Sequence, residues 1–144
     1  MSMTIKVEFS EHFNKVVGAD IEKIADKALQ RTIVEAEGLC QREVPVKTST
    51  LKRSIGTSHP NIGTVCLTSG VKYWRYVQYG TAPHVITGDP LAWEDDDGVH
   101  FARRVNHPGT KANPFVTRTA KRIIGNKLIQ TNINDMLVLE GIIR

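Results

Sequence analysis

The stretch DIEKIADKALQRTIVEAEGLCQREVP, residues 20–45, decides the fold. Ile21, Ile24, Ala25, Ala28, Leu29, Ala36, Leu39 and Cys40 recur at three- and four-residue steps, with Thr32 and Ile33 continuing the stripe. That spacing is the period of a helix that buries one face. Glu22, Lys23, Asp26, Lys27, Gln30 and Glu37 line the opposite, polar face. Asp20 is a good N-cap and Glu22 suits the first turn, because both oppose the positive end of the helix. Pro45 cannot continue the ladder, so the helix ends near Val44. About 24 residues at 1.5 Å each span roughly 36 Å, enough to cross a whole subunit of this size.

Working outward, MTIKVEF (3–9) alternates Met3, Ile5, Val7 and Phe9 with polar neighbours, the period of a half-buried strand. After Pro45, Thr48 or Ser49 can cap a short helix over Leu51 to Ile55. Gly56, Pro60 and Gly63 mark a turn region, and TVCLT (64–68) reads as a strand with Val65 and Leu67 on one face. KYWRYVQYGT (72–81) fits either a helix, through Tyr73, Tyr76 and Val77, or a strand; the helix is favoured, with Gly80 as its stop. LAWE and VHFARRV flank DDDG, and an Asp-Gly step between such runs marks a hairpin. HPGTKANP is a loop. Pro114 suits the first turn of a final helix whose stripe is Val116, Ala120, Ile123, Ile124 and Leu128, with Gly125 weakening it. The remaining INDMLVLEGIIR is apolar enough to pack on something. This order predicts a single α+β domain, residues 1–144: a mainly antiparallel sheet, helices on one side, and a protruding β-hairpin.

The size of 144 residues suits one domain with its own core. Aromatics are only 6%, so that core rests mainly on Val, Ile, Leu and Ala. No apolar run approaches the roughly 20 residues that span a bilayer. MSMTIKVEF also lacks the apolar centre of a secretory signal, which points to a soluble cytoplasmic product with no membrane partner. Cys40 and Cys66 form no CxxC pair and read as two buried thiols. A net charge of +4 is a modest excess. Its paired members Lys52 and Arg53, Arg103 and Arg104, and Lys121 and Arg122 are scattered, whereas nucleic-acid binders concentrate theirs on one face.

No HExxH, GxSxG, Walker loop or GxGxxG occurs, and His12, His59, His84, His100 and His107 lie far apart in the chain. His84, His100 and His107 can meet only if the hairpin folds back. Glu94 and Asp95 to Asp97 are better explained as turn chemistry than as nuclease ligands, which usually come from separate elements. The expectation is no catalytic residue, no metal and no cofactor.

Three segments resemble, in order, the hallmarks of a known family: VPVKTSTLKRSI (44–55), YWRYVQYGT (73–81) and HPGTKANPF (107–115). They look like those of the tailed-phage tail-component family of the HK-ninety-seven type. Val44, Pro45, Val46, Thr48, Leu51, Ser54 and Ile55 match its first stretch. Tyr73, Tyr76, Val77, Gly80 and Thr81 match its second, and Ala112, Pro114 and Phe115 its third. Lys47 stands where the family usually has Asp, Ser49 where it has Gly, Gln78 where it has Glu, and Tyr79 where it has Phe.

The resemblance implies a virion structural protein of the neck or tail, assembled in the host cytoplasm as a homo-oligomeric ring, commonly a hexamer. Tail completion, tail terminator and head–tail connector all fit it. It implies contacts with connector, stopper and tail-tube proteins, and genomic DNA passing through the lumen without sequence-specific binding. The motif residues themselves read as packing within the subunit. Trp93 and Phe101, on strands flanking the acidic tip, are the candidate interface, with Trp93 as a core residue the rival reading. Two other functions are weighed against this one. A nucleic-acid-binding module would use the three basic pairs. A small metal-dependent hydrolase would use His84, His100 and Asp95 to Asp97.

Overall fold

The computed structural model describes residues 2–6, 19–45 and 49–142. Val7 and Phe9, Val46 to Thr48, and His12 lie outside them. The long helix is present as α1 (Ala19–Glu43), one residue earlier than its capping signal suggests, so Asp20 stands in the first turn and not at the cap. Its stripe is buried: Ile24, Ala25, Ala28, Leu29, Thr32, Ile33, Ala36 and Cys40 are 5% exposed or less.

Against that stripe lies a three-stranded antiparallel sheet in the order β1-β3-β2, formed by β1 (Ser2–Lys6), β2 (Ile55–Asn61) and β3 (Thr64–Ser69). The central strand β3 behaves as its alternation requires, with Val65 and Leu67 wholly buried. On β1, half-buried Met3 and Ile5 pack against the core and alternate with exposed Thr4 and Lys6.

β2 corrects the sequence reading, which made residues 56–63 a turn. An edge strand tolerates Pro60 because its outer N–H groups need no partner. The register shifts between Ser58 and Asn61, on either side of His59 and Pro60, and the true turn is only Ile62 and Gly63. The preceding short helix α2 (Thr50–Arg53) is correspondingly shorter than expected. Ser49 sits at its N-cap position without a side-chain cap bond.

The C-terminal helix also departs from expectation. It is two helices, α4 (Phe115–Gly125) and α5 (Leu128–Leu139), separated by a break at Asn126 and Lys127, where Lys127 adopts φ 51°. Gly125 does not merely weaken the helix but ends it. The break lets α5 fold back along α1, and that is where the apolar tail packs. Asn132, 2% exposed, seals the contact: its amide donates to Thr32 Oγ1 (3.0 Å), and Thr32 donates to the Ala28 carbonyl (2.8 Å). α3 (Trp74–Tyr79) confirms the helical reading of 72–81. The strands β4 (His84–Asp95) and β5 (Gly98–His107) then form a separate two-stranded sheet.

The architecture is therefore α+β, with α1, α4 and α5 packed around one core. Cys40 is fully buried, Cys66 is half-buried, and both are free thiols.

Candidate functional site: the motif joint and the hairpin

The second and third motifs meet in one joint. Within YWRYVQYGT the only buried side chain is Gln78, 4% exposed. Its Oε1 accepts the Val116 N–H (3.0 Å) and its Nε2 donates to Thr117 Oγ1 (3.1 Å). A helix leaves its first N–H groups unpaired. Gln78 therefore caps α4 from another element, where Pro114 at the N-cap position has no side-chain acceptor to offer. The Glu usual in the family would keep that acceptor, so Gln78 preserves the contact in neutral form.

Half-buried Val77 accepts the Asn113 N–H through its carbonyl (2.8 Å). Thr81 and Thr110 exchange backbone hydrogen bonds at 3.0 and 3.1 Å and touch through their hydroxyls at 3.1 Å. Gly80 has φ 71°, and a Cβ there would collide with the Thr110 carbonyl and come within 2.8 Å of the Ala112 nitrogen. Only glycine lets these strands of chain approach so closely. Phe115, fully buried, plugs the core directly behind the joint, while Ala112 and Pro114 stay exposed.

The first motif is a core element. Val44, Leu51 and Ile55 are buried, and Ser54 Oγ bonds the Leu51 carbonyl (2.7 Å) and Ser69 Oγ (2.8 Å). Pro45 is exposed just beyond α1. Glu43, at the end of α1, ties this region to α4: it accepts Arg118 Nε (2.6 Å) and Arg122 (2.7 Å). The Arg118 hydrogen bond is the chief reason its carboxyl sits below its ordinary pKa, and Arg122 adds to it.

The three tyrosines do not pack inward as expected. Tyr73, Tyr76 and Tyr79 are 39%, 62% and 70% exposed. They escape burial because the inward face of α3 is used by Gln78, Val77 and Trp74. Arg75 lies 5.9 Å over the Trp74 ring, and Tyr79 is 6.4 Å from it. Beside this surface, Tyr76, Gly80, Thr81, His84 and Thr110 line an open groove of about 640 Å³.

The hairpin begins at the joint and leaves the body. No residue of β4 or β5 is buried. Trp93 is therefore not a core residue; it is 38% exposed and stacks on His100 at 5.3 Å. His100 in turn bonds Asp95 (2.8 Å), whose carboxyl is held below its ordinary pKa chiefly by that bond. Phe101, opposite Ala92, is 69% exposed.

The histidines separate along this ladder. His84 and His107 pair at its base, 5.0 Å apart, while His100 lies near the tip. Among the described residues, no group of three or more His, Cys, Asp or Glu is placed to hold a metal ion. The basic pairs fall on three elements, α2, β5 and α4, and Arg103 and Arg122 are engaged by Asp89 and Glu43.

Asp26 was missed by the sequence reading, which put it on the solvent face. It is 8% exposed because the β2–β3 turn lies over it. Its Oδ1 accepts the Gly63 N–H (2.6 Å) and meets His59 Nε2 (2.8 Å). Burial raises its carboxyl pKa, but the Gly63, His59 and Gln30 hydrogen bonds together outweigh burial and leave it lowered. No periodicity could have revealed this, since the partner lies 37 residues away.

The chain is thus a small α+β body that carries an exposed aromatic hairpin. The family model described as Bacteriophage HK97-gp10, putative tail-component, matches residues 8–80, just over half of the chain, and the chain belongs to that family. The matched span holds the first motif and the second through Gly80; Thr81 and the third motif lie beyond it. No curated protein and no solved structure matches the chain. Membership makes it a bacteriophage tail component, a structural kind of protein with a place in the virion. Among the described residues, no helix is long and apolar enough to cross a membrane.

Proposed function

We propose that this protein is a non-enzymatic ring subunit of a tailed-phage neck or tail that joins tail to head around the DNA channel, as a completion, terminator or connector layer. The observation that carries the reading is the hairpin: 22 residues of ladder, none of them buried, on a body whose joint is closed by Gln78, Gly80 and the Thr81–Thr110 bridge. A long element that contributes nothing to its own core is retained for contact with something else. Family membership supplies the setting, a phage tail. Trp93 and Phe101 are then contacts to a neighbouring subunit or tail protein. The other motif residues, Val44, Leu51, Ile55, Gln78 and Phe115 among them, hold the body that presents them.

The partners in this reading are further copies of the chain, the adjoining connector or stopper and tail-tube proteins, and genomic DNA crossing the lumen without base-specific contacts. Cryo-electron microscopy of the particle, with density assigned to this chain, is the test. A cyclic layer at the head–tail junction is expected. Density elsewhere in the virion, or a single asymmetric copy, overturns the reading.

A further inference from the structure

Two surfaces of this chain are complementary to each other, yet in the folded subunit they do not cover one another. One is the distal hairpin, where Trp93 is stacked on His100 and Phe101 lies on the paired strand, beside four consecutive carboxylates, Glu94 to Asp97. The other is the outer face of α3, where Tyr76 and Tyr79 stand out beside Lys72 and Arg75. Among the described residues, neither of those two cations has a carboxylate partner.

Exposure shows that the match is not made within the subunit. The hairpin springs from the Thr81–Thr110 bridge, two residues beyond the end of α3. Its ladder shifts register between Thr87 and Leu91, and Trp93, Glu94 and Asp95 share a groove with Ile86, Val105, His107 and Pro108 of the same hairpin and the loop after it. Within the subunit the two surfaces stay uncovered: Phe101, Tyr76 and Tyr79 are each more than 60% exposed.

We infer that the occupant of the α3 face is the hairpin tip of a second copy of this chain. This rests on the ring reading above and names the contact that would build the ring. The two patches differ, so the contact is heterologous, and repeated head to tail it closes into a ring when the rotation allows. The aromatics supply the affinity, since Trp and Tyr anchors dominate interfaces. Charge selects the partner: an acidic tip meets a basic face, and tip against tip repels. Both sides are held ready, Trp93 by His100 and Tyr79 by Trp74 under Arg75, which lowers the ordering cost of docking.

The test uses two variants of the full chain. Trp93→Ala with Phe101→Ala blunts the hairpin and leaves the α3 face; Tyr76→Ala with Tyr79→Ala does the reverse. Native mass spectrometry and sedimentation should show each variant alone losing self-association by at least tenfold relative to the unaltered chain. Mixed one to one, they should form a heterodimer and stop there, because each copy then has one usable surface. Exchanging charges, with Glu94, Asp96 and Asp97 changed to Lys in one copy and Lys72 and Arg75 to Glu in the other, should restore that pairing where either change alone weakens it.

An unaltered chain that forms rings while either aromatic variant also forms them overturns the inference and leaves the ring reading standing. So does a hairpin variant that fails while the α3 variant assembles, which means hairpin–hairpin pairing. Lys72→Glu with Arg75→Glu lowering retention on duplex DNA without changing self-association likewise overturns it, in favour of a DNA contact. A strict monomer both at high concentration and in the particle sinks the ring reading and this inference together.

Discussion

The body and the hairpin are built on opposite principles. In the body, α1 offers an apolar stripe on which β2, β3, α4 and α5 close, so that Leu29, Val65, Leu67 and Phe115 are wholly buried. In the hairpin, strands of twelve and ten residues carry Trp, Phe, Val and Leu and bury none of them. The body uses its hydrophobic residues for its own stability, while the hairpin leaves its own unburied. Apolar content alone therefore says little about what a residue does; what lies opposite it decides.

The comparison predicts a gradient of effects on stability. Phe115→Ala removes the largest fully buried side chain and should cost about 3–5 kcal/mol, read as a lower midpoint in chemical denaturation. A loss near zero would mean that the core does not centre on α1, β3 and α4. Gln78→Ala should come next, at about 1–3 kcal/mol, because it strands the Val116 N–H beside a hydroxyl that loses its partner. Gln78→Glu keeps the acceptor at a helix N-terminus and should lose less. If the two variants melt alike, the cap is not what Gln78 provides.

The third effect depends on pH. The carboxyls of Asp26 and Glu43 sit below their ordinary values of 3.8 and 4.5 in the folded chain. A lowered folded pKa gives stability that is present above the unfolded pKa and lost as pH falls through the folded one. The body should therefore weaken on acidification below about pH 4. Asp26→Asn should flatten that dependence and free the β2–β3 turn, as hydrogen exchange at Gly63 would report. An unchanged acid limb would show that the Gly63 and His59 contacts do not act in solution.

The smallest effect belongs to the hairpin. Trp93→Ala and Phe101→Ala should shift stability by no more than about 0.5 kcal/mol, as for exposed sites, while impairing tail joining in particle assembly. A melting temperature several degrees lower would erase the contrast between hairpin and body.

Legibility in the sequence followed the range of the forces involved. The long helix, the alternation of β1 and β3, the short helix at 74–79 and the hairpin around DDDG were all readable, because each is set by period or turn chemistry within a few neighbours, although the turn itself is Asp96 and Asp97, with Gly98 already paired to Asp95. The strand at 55–61 was not. Its Gly56 and Pro60 argue locally for a turn, and only pairing with β3 on one side makes an edge strand of them. The interruption after Gly125 was visible as a weakness but not as a fold-back, since the contact that rewards it, Asn132 to Thr32, spans 100 residues.

The sequence by itself thus determined the class of fold, through the apolar stripe of residues 20–44, and the family, through a match over residues 8–80 that holds the first motif and the second through Gly80. The tertiary structure alone decided which motif residues serve the core and which the surface. Gln78 went inside and Tyr76 and Tyr79 outside because one face of a six-residue helix met the start of α4 and the other met solvent. It also decided that Asp26 is a buried anchor and Trp93 is not. A residue's period reports the face it occupies, and only the chain that folds over that face determines whether it is covered.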